Sequence, residues 1–326
     1  MRGIRVFGVV LGSCGLIIEL LAPCASAKRI LAIASIFPLA DLVAQVGGDR
    51  LEVVTLIPSG ASPHTYEPTP EQVRRLSQAR VFFQVGLGLE FWLDKLVRAA
   101  NNASLRRVDL SQGIETLPTP FAELRPKPTQ GTQREHAQEA PQSSKEPHPK
   151  DAHRQEGADA HYWLDPLLMQ QVLTTIAQVL RELDPEGATS YTERAKRVRA
   201  ELEELHQEIL QLTQGLQKRR FVSLHSAWTY FAPRYNLEQA AVVEPFPGRE
   251  PSPRYLAELA QLMQREGVGA IVLEPQLSPS AAQALARETG AKVGLLDPLG
   301  APGIPGRDSY MALMRYNVAQ LINLLQ

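Results

Sequence analysis

The stretch Leu51-Glu-Val-Val-Thr-Leu-Ile-Pro-Ser-Gly-Ala-Ser-Pro-His-Thr-Tyr-Glu-Pro-Thr-Pro70 joins an apolar run, a histidine-bearing loop and the start of a helix. Leu51–Ile57 is short and rich in β-branched residues, which predicts a strand. Prolines and a glycine then favour an irregular loop around His64. Thr69-Pro70 is typical of a helix start, with a cap residue followed by proline at the first position. This strand–loop–helix unit predicts an α/β fold with a histidine just beyond the end of a strand.

The same alternation of strand-like and helix-like segments continues on both sides of this unit. Strands that alternate with helices favour parallel sheets covered by helices on both faces. The strand-like runs fall into two groups of four: Ile30–Ser35, Leu51–Ile57, Arg80–Val85 and Arg107–Leu110, then Phe221–Leu224, Ala240–Val243, Ala270–Leu273 and Lys292–Leu296. We therefore expect two lobes, each with a roughly four-stranded parallel sheet flanked by helices.

A long helical pattern separates the two groups of strands. Apolar residues recur at helical spacing from Pro185 to Leu216, which predicts a helix about 48 Å long. A helix of that length spans a small domain and would act as a rigid strut. His206 lies beside its apolar stripe and is predicted to be a surface residue. The predicted organisation is an N-terminal α/β lobe at 28–184, a linking helix at 185–216 and a C-terminal α/β lobe at 217–326.

The first 27 residues differ in kind from the rest of the chain. They combine a positively charged head, the mostly apolar run Val6–Leu21 and the small-residue site Ala25-Ser-Ala27. This pattern predicts a secretory signal peptide that is removed from the mature protein. The alternative is lipid acylation at Cys24, which follows a loosely lipoprotein-like sequence. The formal net charge of −1 provides no basic surface of the kind that binds nucleic acid.

The segment from Glu123 to Asp159 has a different composition from its neighbours. It holds five prolines, seven acidic and six basic residues, and Leu124 is its only aliphatic residue larger than alanine. Such a segment buries too little apolar surface to offset its ordering entropy, which predicts a mobile loop. Two interpretations of its histidines remain open: a solvated insertion without a role, or weak metal binding by His136, His148 and His153.

Five polar side chains lie at the ends of predicted strands or at a helix start. In open α/β sheets, ligands bind beyond the carboxyl ends of the strands, so side chains from both lobes would meet in a cleft. Three imidazoles and one carboxylate form a set that suits tetrahedral Zn²⁺. Asp297 is the preferred carboxylate, although a turn with Pro298 would also explain it, whereas Glu274 is a candidate for holding a ligand in place. The candidates are His64, His161, His225, Asp297 and Glu274.

Five ordered motifs carry a resemblance to a known family. They resemble the metal-specific solute-binding proteins of bacterial ABC importers (cluster A-I), from the first mature strand to the C-terminal helix. The motifs begin at Gly60, Gly86, His161, Glu274 and Leu296: Gly-Ala-Ser-Pro-His-Thr-Tyr-Glu-Pro-Thr-Pro, Gly-Leu-Gly-Leu-Glu-Phe-Trp, His-Tyr-Trp-Leu-Asp-Pro, Glu-Pro-Gln and Leu-Asp-Pro-Leu.

The resemblance implies two α/β lobes joined by one rigid helix, with a metal held between the lobes. Carried over by motif, the ligands are His64, His161, His225 and Asp297. Manganese-type members typically have a glutamate where this chain has His225, so the chain is most similar to the zinc-type, ZnuA-like branch. The resemblance further implies a monomeric periplasmic protein that performs no reaction and delivers Zn²⁺ to an ABC-type membrane permease.

Two alternative functions follow from the same residues. One is a manganese- or iron-binding protein of the same architecture, because Mn²⁺ binds well among oxygen ligands. The other is a secreted zinc-dependent hydrolase, which would keep an open coordination position for water and place a general base beside it. Glu274 is the candidate for that base, and a closed metal site out of reach of substrate would argue against this alternative.

Overall fold

A computed structural model describes residues 29–121 and 157–326 of the chain. It contains two four-stranded sheets in which every recorded pairing is parallel. The first sheet has the order β2-β1-β3-β4 and the second the order β6-β5-β7-β8. The strands are β1 (Ile30–Ala34), β2 (Leu51–Thr55), β3 (Val81–Gln84), β4 (Arg106–Asp109), β5 (Arg220–Ser223), β6 (Glu238–Val242), β7 (Ala270–Leu273) and β8 (Lys292–Leu295).

Helices follow the strands in both halves and cover the sheets. Their starts carry the predicted signals: Thr69 caps α2 in a capping box with Gln72, and Ser252 caps α7 through the backbone N–H of Tyr255. The helices are α1 (Phe37–Gly47), α2 (Pro70–Gln78), α3 (Leu93–Ala100), α4 (Pro166–Leu183), α5 (Ala188–Gln214), α6 (Phe231–Arg234), α7 (Pro253–Glu266), α8 (Ser280–Thr289) and α9 (Tyr310–Leu325). The predicted two-lobed α/β architecture is confirmed.

The long helix α5 begins three residues later than predicted and ends two residues earlier. Pro185–Gly187 forms a separate 3-10 turn, and α5 then runs for 27 residues, about 40 Å. Its start is fastened by Asp184, whose carboxylate accepts hydrogen bonds from the Arg50 guanidinium at 2.5 and 2.8 Å and from the Tyr191 hydroxyl at 2.5 Å. The turn and the first two turns of α5 are therefore held against the N-terminal lobe.

One apolar core extends through both halves of the molecule. It includes Phe82 of β3, Leu205 of α5, Trp228 after β5 and Tyr310 of α9, all fully buried. A second, smaller cluster lies between the outer face of the second sheet and helices α7 and α8. Because the larger core passes from the first sheet along α5 to α9, the lobes share apolar packing and are not two separate cores joined by a strut.

His206 of α5 corrects one prediction from the sequence. It is buried, and its Nδ1 lies 3.2 Å from the hydroxyl of Tyr235, which covers it. The prediction of a surface residue is wrong, because the apolar stripe of α5 continues under the segment that follows β5. Helical periodicity shows that a residue lies beside the apolar stripe of a helix. It does not show how much of the helix surface is covered by neighbouring segments.

Several predictions concern parts of the chain outside the described residues. They are the signal peptide at 1–27, acylation at Cys24, and most of the loop at 123–159 with His136, His148 and His153. In the parts that are described, none of the helices combines the length and the hydropathy that crossing a membrane requires.

Candidate metal centre

His64 lies in the loop between β2 and α2, and both ends of that loop are tied together by one side chain. The Gln72 amide accepts a hydrogen bond from the backbone N–H of Thr69 at 2.7 Å and donates one to the carbonyl of Leu56 at 2.7 Å. The same amide also contacts the hydroxyl of Tyr66, whose ring packs edge-on against Trp92 at 5.6 Å. The half-buried imidazole of His64 is therefore carried by a short loop whose ends are held in place.

His161 opens a 3-10 turn, His161–Leu164, that leads directly into α4. The turn is anchored on both sides of the cleft: the Tyr162 hydroxyl donates to the carbonyl of Val85, and the Trp163 indole N–H donates to the carbonyl of Pro298, each at 2.8 Å. These neighbours leave His161 buried with a fixed ring position.

His225 follows β5 and lies at the edge of the second sheet where ligand sites are expected. In the order β6-β5-β7-β8, the chain leaves β5 toward one side and returns to β7 on the other. The carboxyl ends of β5 and β7 therefore flank the topological switch point, the place where open α/β sheets bind ligands. His225 follows β5 and Glu274 follows β7, and both side chains are buried there.

The three histidines converge on one point between the lobes. Nε2 of His161 lies 3.2 Å from Nε2 of His64 and 3.2 Å from Nε2 of His225. The ring centroids are 5.1 to 5.3 Å apart, and one ligand atom from each residue lies within 4.8 Å of the others. Ligand nitrogens at 2.0–2.1 Å from a tetrahedral Zn²⁺ would be about 3.3 Å apart. The observed spacing fits that geometry.

Two carboxylates orient two of these rings through the ring nitrogen that faces away from the metal cavity. Nδ1 of His161 lies 2.9 Å from Oδ1 of Asp159, and Nδ1 of His225 lies 2.6 Å from Oε2 of Glu274. Asp159 accepts a hydrogen bond, so Nδ1 of His161 carries the proton. The contact between His225 and Glu274 is an ion-pair contact without hydrogen-bond geometry, and the negative charge of Glu274 favours the proton on that Nδ1 as well. Each Nε2 then presents a lone pair. Facing lone pairs 3.2 Å apart repel each other unless a cation lies between them. This protonation pattern is the one in which histidine binds a metal.

The same carboxylates affect protonation at the site. Burial by itself lowers the pKa of His225, but the neighbouring Glu274 carboxylate, helped by the charge of Asp159, leaves that pKa raised above its ordinary value. Burial also acts to raise the pKa of Asp159, but the charge and hydrogen bonds of His161 leave it lowered. Protons and a metal ion therefore compete for the Nε2 atoms.

This competition predicts a pH-dependent metal affinity. Only neutral imidazole binds a metal, and the raised pKa of His225 means that the neutral form is lost at a higher pH than for an ordinary histidine. We expect the Kd for Zn²⁺ to rise steadily from pH 8 to pH 5.5, by roughly tenfold per pH unit for each imidazole that must lose a proton. Chelator-competition titrations at each pH measure this, and a constant Kd across that range would contradict it.

The space at the centre is small and enclosed by side chains from both lobes. The cavity has a volume of ≈ 10 Å³ and is lined by the three histidines together with residues such as Trp163, Gln276 and Leu299. A space of this size accommodates about one water molecule. It suits a single ion and leaves no room for an organic substrate beside it.

Asp297, the carboxylate predicted as a fourth ligand, is not brought into the group of three histidines. Its Oδ1 accepts hydrogen bonds from the Gln276 amide at 2.8 Å and from two backbone N–H groups that follow it, each at 3.0 Å. Its Oδ2 accepts from the Arg307 guanidinium at 3.0 Å. A direct role for Asp297 as a metal ligand stays a prediction from the sequence.

Asp159 is a neighbour of the histidine group that the sequence reasoning missed. It belongs to the predicted mobile loop, yet it is 2% exposed, and the chain around it pairs with residues 117–119. Its Oδ2 accepts from the Thr229 hydroxyl at 3.0 Å, and its carbonyl accepts from the Tyr230 hydroxyl at 2.8 Å. The available signal was the spacing Asp159-Ala-His161, which places a carboxylate two residues before a candidate ligand.

The family follows from a comparison with known proteins. The sequence pattern of ZnuA, described as the periplasmic component A of a zinc-uptake complex, matches residues 33–324. The chain belongs to the ZnuA family. It is a metal-binding solute-binding protein of the periplasmic type, and the resemblance identified from the motifs is confirmed.

Relatives of this ZnuA family member carry both zinc and manganese names. The high-affinity zinc uptake system protein ZnuA of Bacillus subtilis (strain 168) is 26% identical over 292 residues, 89% of this chain and 85% of that protein. The manganese-binding lipoprotein MntA of Halalkalibacterium halodurans is 25% identical over 87% of this chain and 85% of its own length. A crystal structure of a ZnuA deletion mutant with zinc bound superposes with a TM-score of 0.74 at 32% identity, covering 92% of this chain and 99% of that one.

Membership of the ZnuA family gives no support to a secreted hydrolase. The residue that would serve as its general base is Glu274. One of its carboxylate oxygens lies 2.6 Å from Nδ1 of His225, and the other accepts a hydrogen bond from the backbone N–H of His225 at 3.3 Å. Because the family also includes a manganese-named relative, the choice of metal depends on the ligands of this particular site.

Proposed function

We propose that this protein captures one Zn²⁺ between its lobes, through His64, His161 and His225, and delivers it to an ABC-type membrane permease. The observation that carries the proposal is the convergence of three Nε2 atoms, two of them on rings whose Nδ1 faces a buried carboxylate. Three imidazole nitrogens favour zinc over manganese, which lies at the weak end of the affinity order and prefers oxygen ligands. The zinc names of the relatives support the same choice.

The proposal extends to the setting in which the protein works. Residues 1–27 would direct export, with acylation at Cys24 as the alternative, and the family description places such proteins in the periplasm. Within the mature protein, the lobes at 28–184 and 217–326 would act as a monomer around the linking helix. Delivery to a permease is proposed because the family is a component of an uptake complex.

Metal analysis followed by competition titration tests the zinc assignment. Protein purified without added metal should contain close to one zinc per chain, and the Kd for Mn²⁺ should exceed that for Zn²⁺ by at least about 100-fold, in line with the affinity order for nitrogen ligands. A chain that purifies with manganese or iron, or that binds Mn²⁺ as tightly as Zn²⁺, would overturn the zinc assignment and favour the manganese-type alternative.

A further inference from the structure

Gln276 lines the metal cavity, and neither the sequence motifs nor the proposed ligand set gives it a role. Its amide nitrogen donates to Oδ1 of Asp297 at 2.8 Å. Because a carboxylate only accepts hydrogen bonds, the NH₂ group must face Asp297, and the amide oxygen is turned away from it. That oxygen is buried and has no hydrogen-bond partner among residues 29–121 and 157–326. Most buried polar atoms in proteins have a hydrogen-bond partner, and a bound water or ion is one explanation for an exception. For an unpartnered acceptor that lines a metal cavity, a group bound in that cavity is the partner at hand.

Asp297 is held so that it orients Gln276. Its four hydrogen-bond donors are the amide of Gln276, two backbone N–H groups and the guanidinium of Arg307. Three of these bonds end on Oδ1 and one on Oδ2, and no carboxylate oxygen of Asp297 belongs to the group of ligand atoms that the three histidines form. Asp297 is therefore tied to Gln276 and Arg307 and lies outside that group.

The position of Arg307 is itself fixed by the chain. Gly300 adopts a φ of 61°, and a Cβ there would lie 2.5 Å from the carbonyl oxygen of Arg307. The same carbonyl accepts a hydrogen bond from the N–H of Ala301 at 3.1 Å, and the guanidinium lies 5.0 Å above the Tyr316 ring. The close approach at Gly300 thus fixes the backbone of Arg307, while the Tyr316 ring and the bond to Asp297 hold its guanidinium.

We infer that Gln276 completes the metal site: its amide oxygen accepts a hydrogen bond from a water bound at the fourth coordination position of the ion. Asp297 then acts as a positioning residue through Gln276 and is not itself a ligand. This inference rests on the proposed function, since it describes the same site. Zinc sites with three protein ligands and an open position take a water as the fourth ligand.

The arrangement has a consequence for metal selectivity. The groups that contact the ion and its water are then three neutral imidazoles and a neutral amide. The carboxylates of Asp159, Glu274 and Asp297 contact these groups and not the ion. A directly bound carboxylate would favour harder cations such as Mn²⁺. The hydrogen bonds that Arg307 and Gln276 donate to Asp297 therefore keep this carboxylate from binding the ion directly, which favours zinc.

A double-mutant cycle between Gln276 and Asp297 tests the inference. Gln276→Met keeps the side-chain length and removes the acceptor, and should weaken zinc binding by about 10- to 100-fold, the usual effect of removing a group behind a metal ligand. Asp297→Asn should weaken binding no more than Gln276→Met, and the double variant should match the weaker single variant, because both act through one hydrogen bond. The visible absorption of bound Co²⁺ should change in all three proteins.

Other outcomes would overturn the inference. They are a Gln276→Met protein with the zinc affinity and Co²⁺ spectrum of the wild type, additive losses in the double variant, or a loss in Asp297→Asn as large as that of a histidine ligand. If Asp297→Asn does not fold, Arg307→Gln replaces it in the cycle. Asp184→Asn is the matched control, because Asp184 is also paired with an arginine, Arg50, by hydrogen bonds of 2.5 and 2.8 Å, does not line the metal cavity, and should change neither readout. Failure of the wild-type protein to bind zinc through its histidines would instead refute the proposed function.

Discussion

Replacing His161 with alanine should lower the affinity for Zn²⁺ by at least about 100-fold, since a structural zinc site gains some 10–16 kcal/mol from about four ligands. His161 is the central member of the group, because its Nε2 lies 3.2 Å from the Nε2 atoms of both other histidines. Its loss also leaves the Asp159 carboxylate without the ring it orients. The measurement is a chelator-competition titration of wild-type and variant proteins in one buffer.

The matched control for this variant is His206→Gln. His206 is also a buried histidine, but its ring contacts Tyr235 and not the metal cavity. Its replacement should lower the thermal stability of the metal-free protein and leave the zinc Kd unchanged within a few-fold. Retention of wild-type affinity in a folded His161→Ala protein would remove His161 from the site and with it the proposed ligand set.

Binding of zinc should stabilise the folded protein strongly. The ligands come from the loop after β2, the turn before α4 and the end of β5, so the ion joins segments that are far apart in the chain. Mass action predicts about 2.7 kcal/mol of stabilisation at 100 times the Kd and about 4.1 kcal/mol at 1,000 times the Kd. For a protein of this size, with an unfolding entropy of about 2.1 cal/mol/K per residue, that corresponds to an increase in Tm of roughly 4–7 °C.

Thermal melting with excess zinc and with excess chelator measures this effect. The His161→Ala protein provides the control, because its melting temperature should respond far less to zinc at the same concentration. Equal midpoints for the wild-type protein in zinc and in chelator would show that the ion does not bind the folded state at the proposed site.

The sequence predicted the central strands well because parallel strands buried on both faces are short apolar runs. Val81-Phe-Phe83 of β3 is fully buried, and such a run is read correctly without any knowledge of its neighbours. The histidines were found for a related reason: His64 and His225 follow strands whose carboxyl ends form the ligand-binding edge of a sheet.

The parts of the site that the sequence did not predict depend on contacts between distant segments. Asp159 was assigned to a mobile loop from its composition, whereas it is ordered by pairing with residues 117–119 and by Thr229. The hydrogen bonds of Asp297 could not be predicted either, because a turn beyond Gly300 brings Arg307 back onto it. Residue type and spacing identify which side chains can bind a metal. They do not show which of these side chains already form hydrogen bonds with other residues of the fold.

The shared apolar core has a consequence for how fast the ion is exchanged. Separating the lobes as rigid halves would expose buried side chains that bond across them, such as Tyr310 to the Trp163 carbonyl and Trp163 to the Pro298 carbonyl, which makes that opening rare. The dissociation rate should therefore be governed by a local event. His161 and His225 are buried, whereas His64 is half-buried on a loop between two elements. We expect the bond between the ion and His64 to break first. The ion should therefore have a long lifetime on the free protein. A receptor that displaces the His64 loop would shorten that lifetime without separating the lobes.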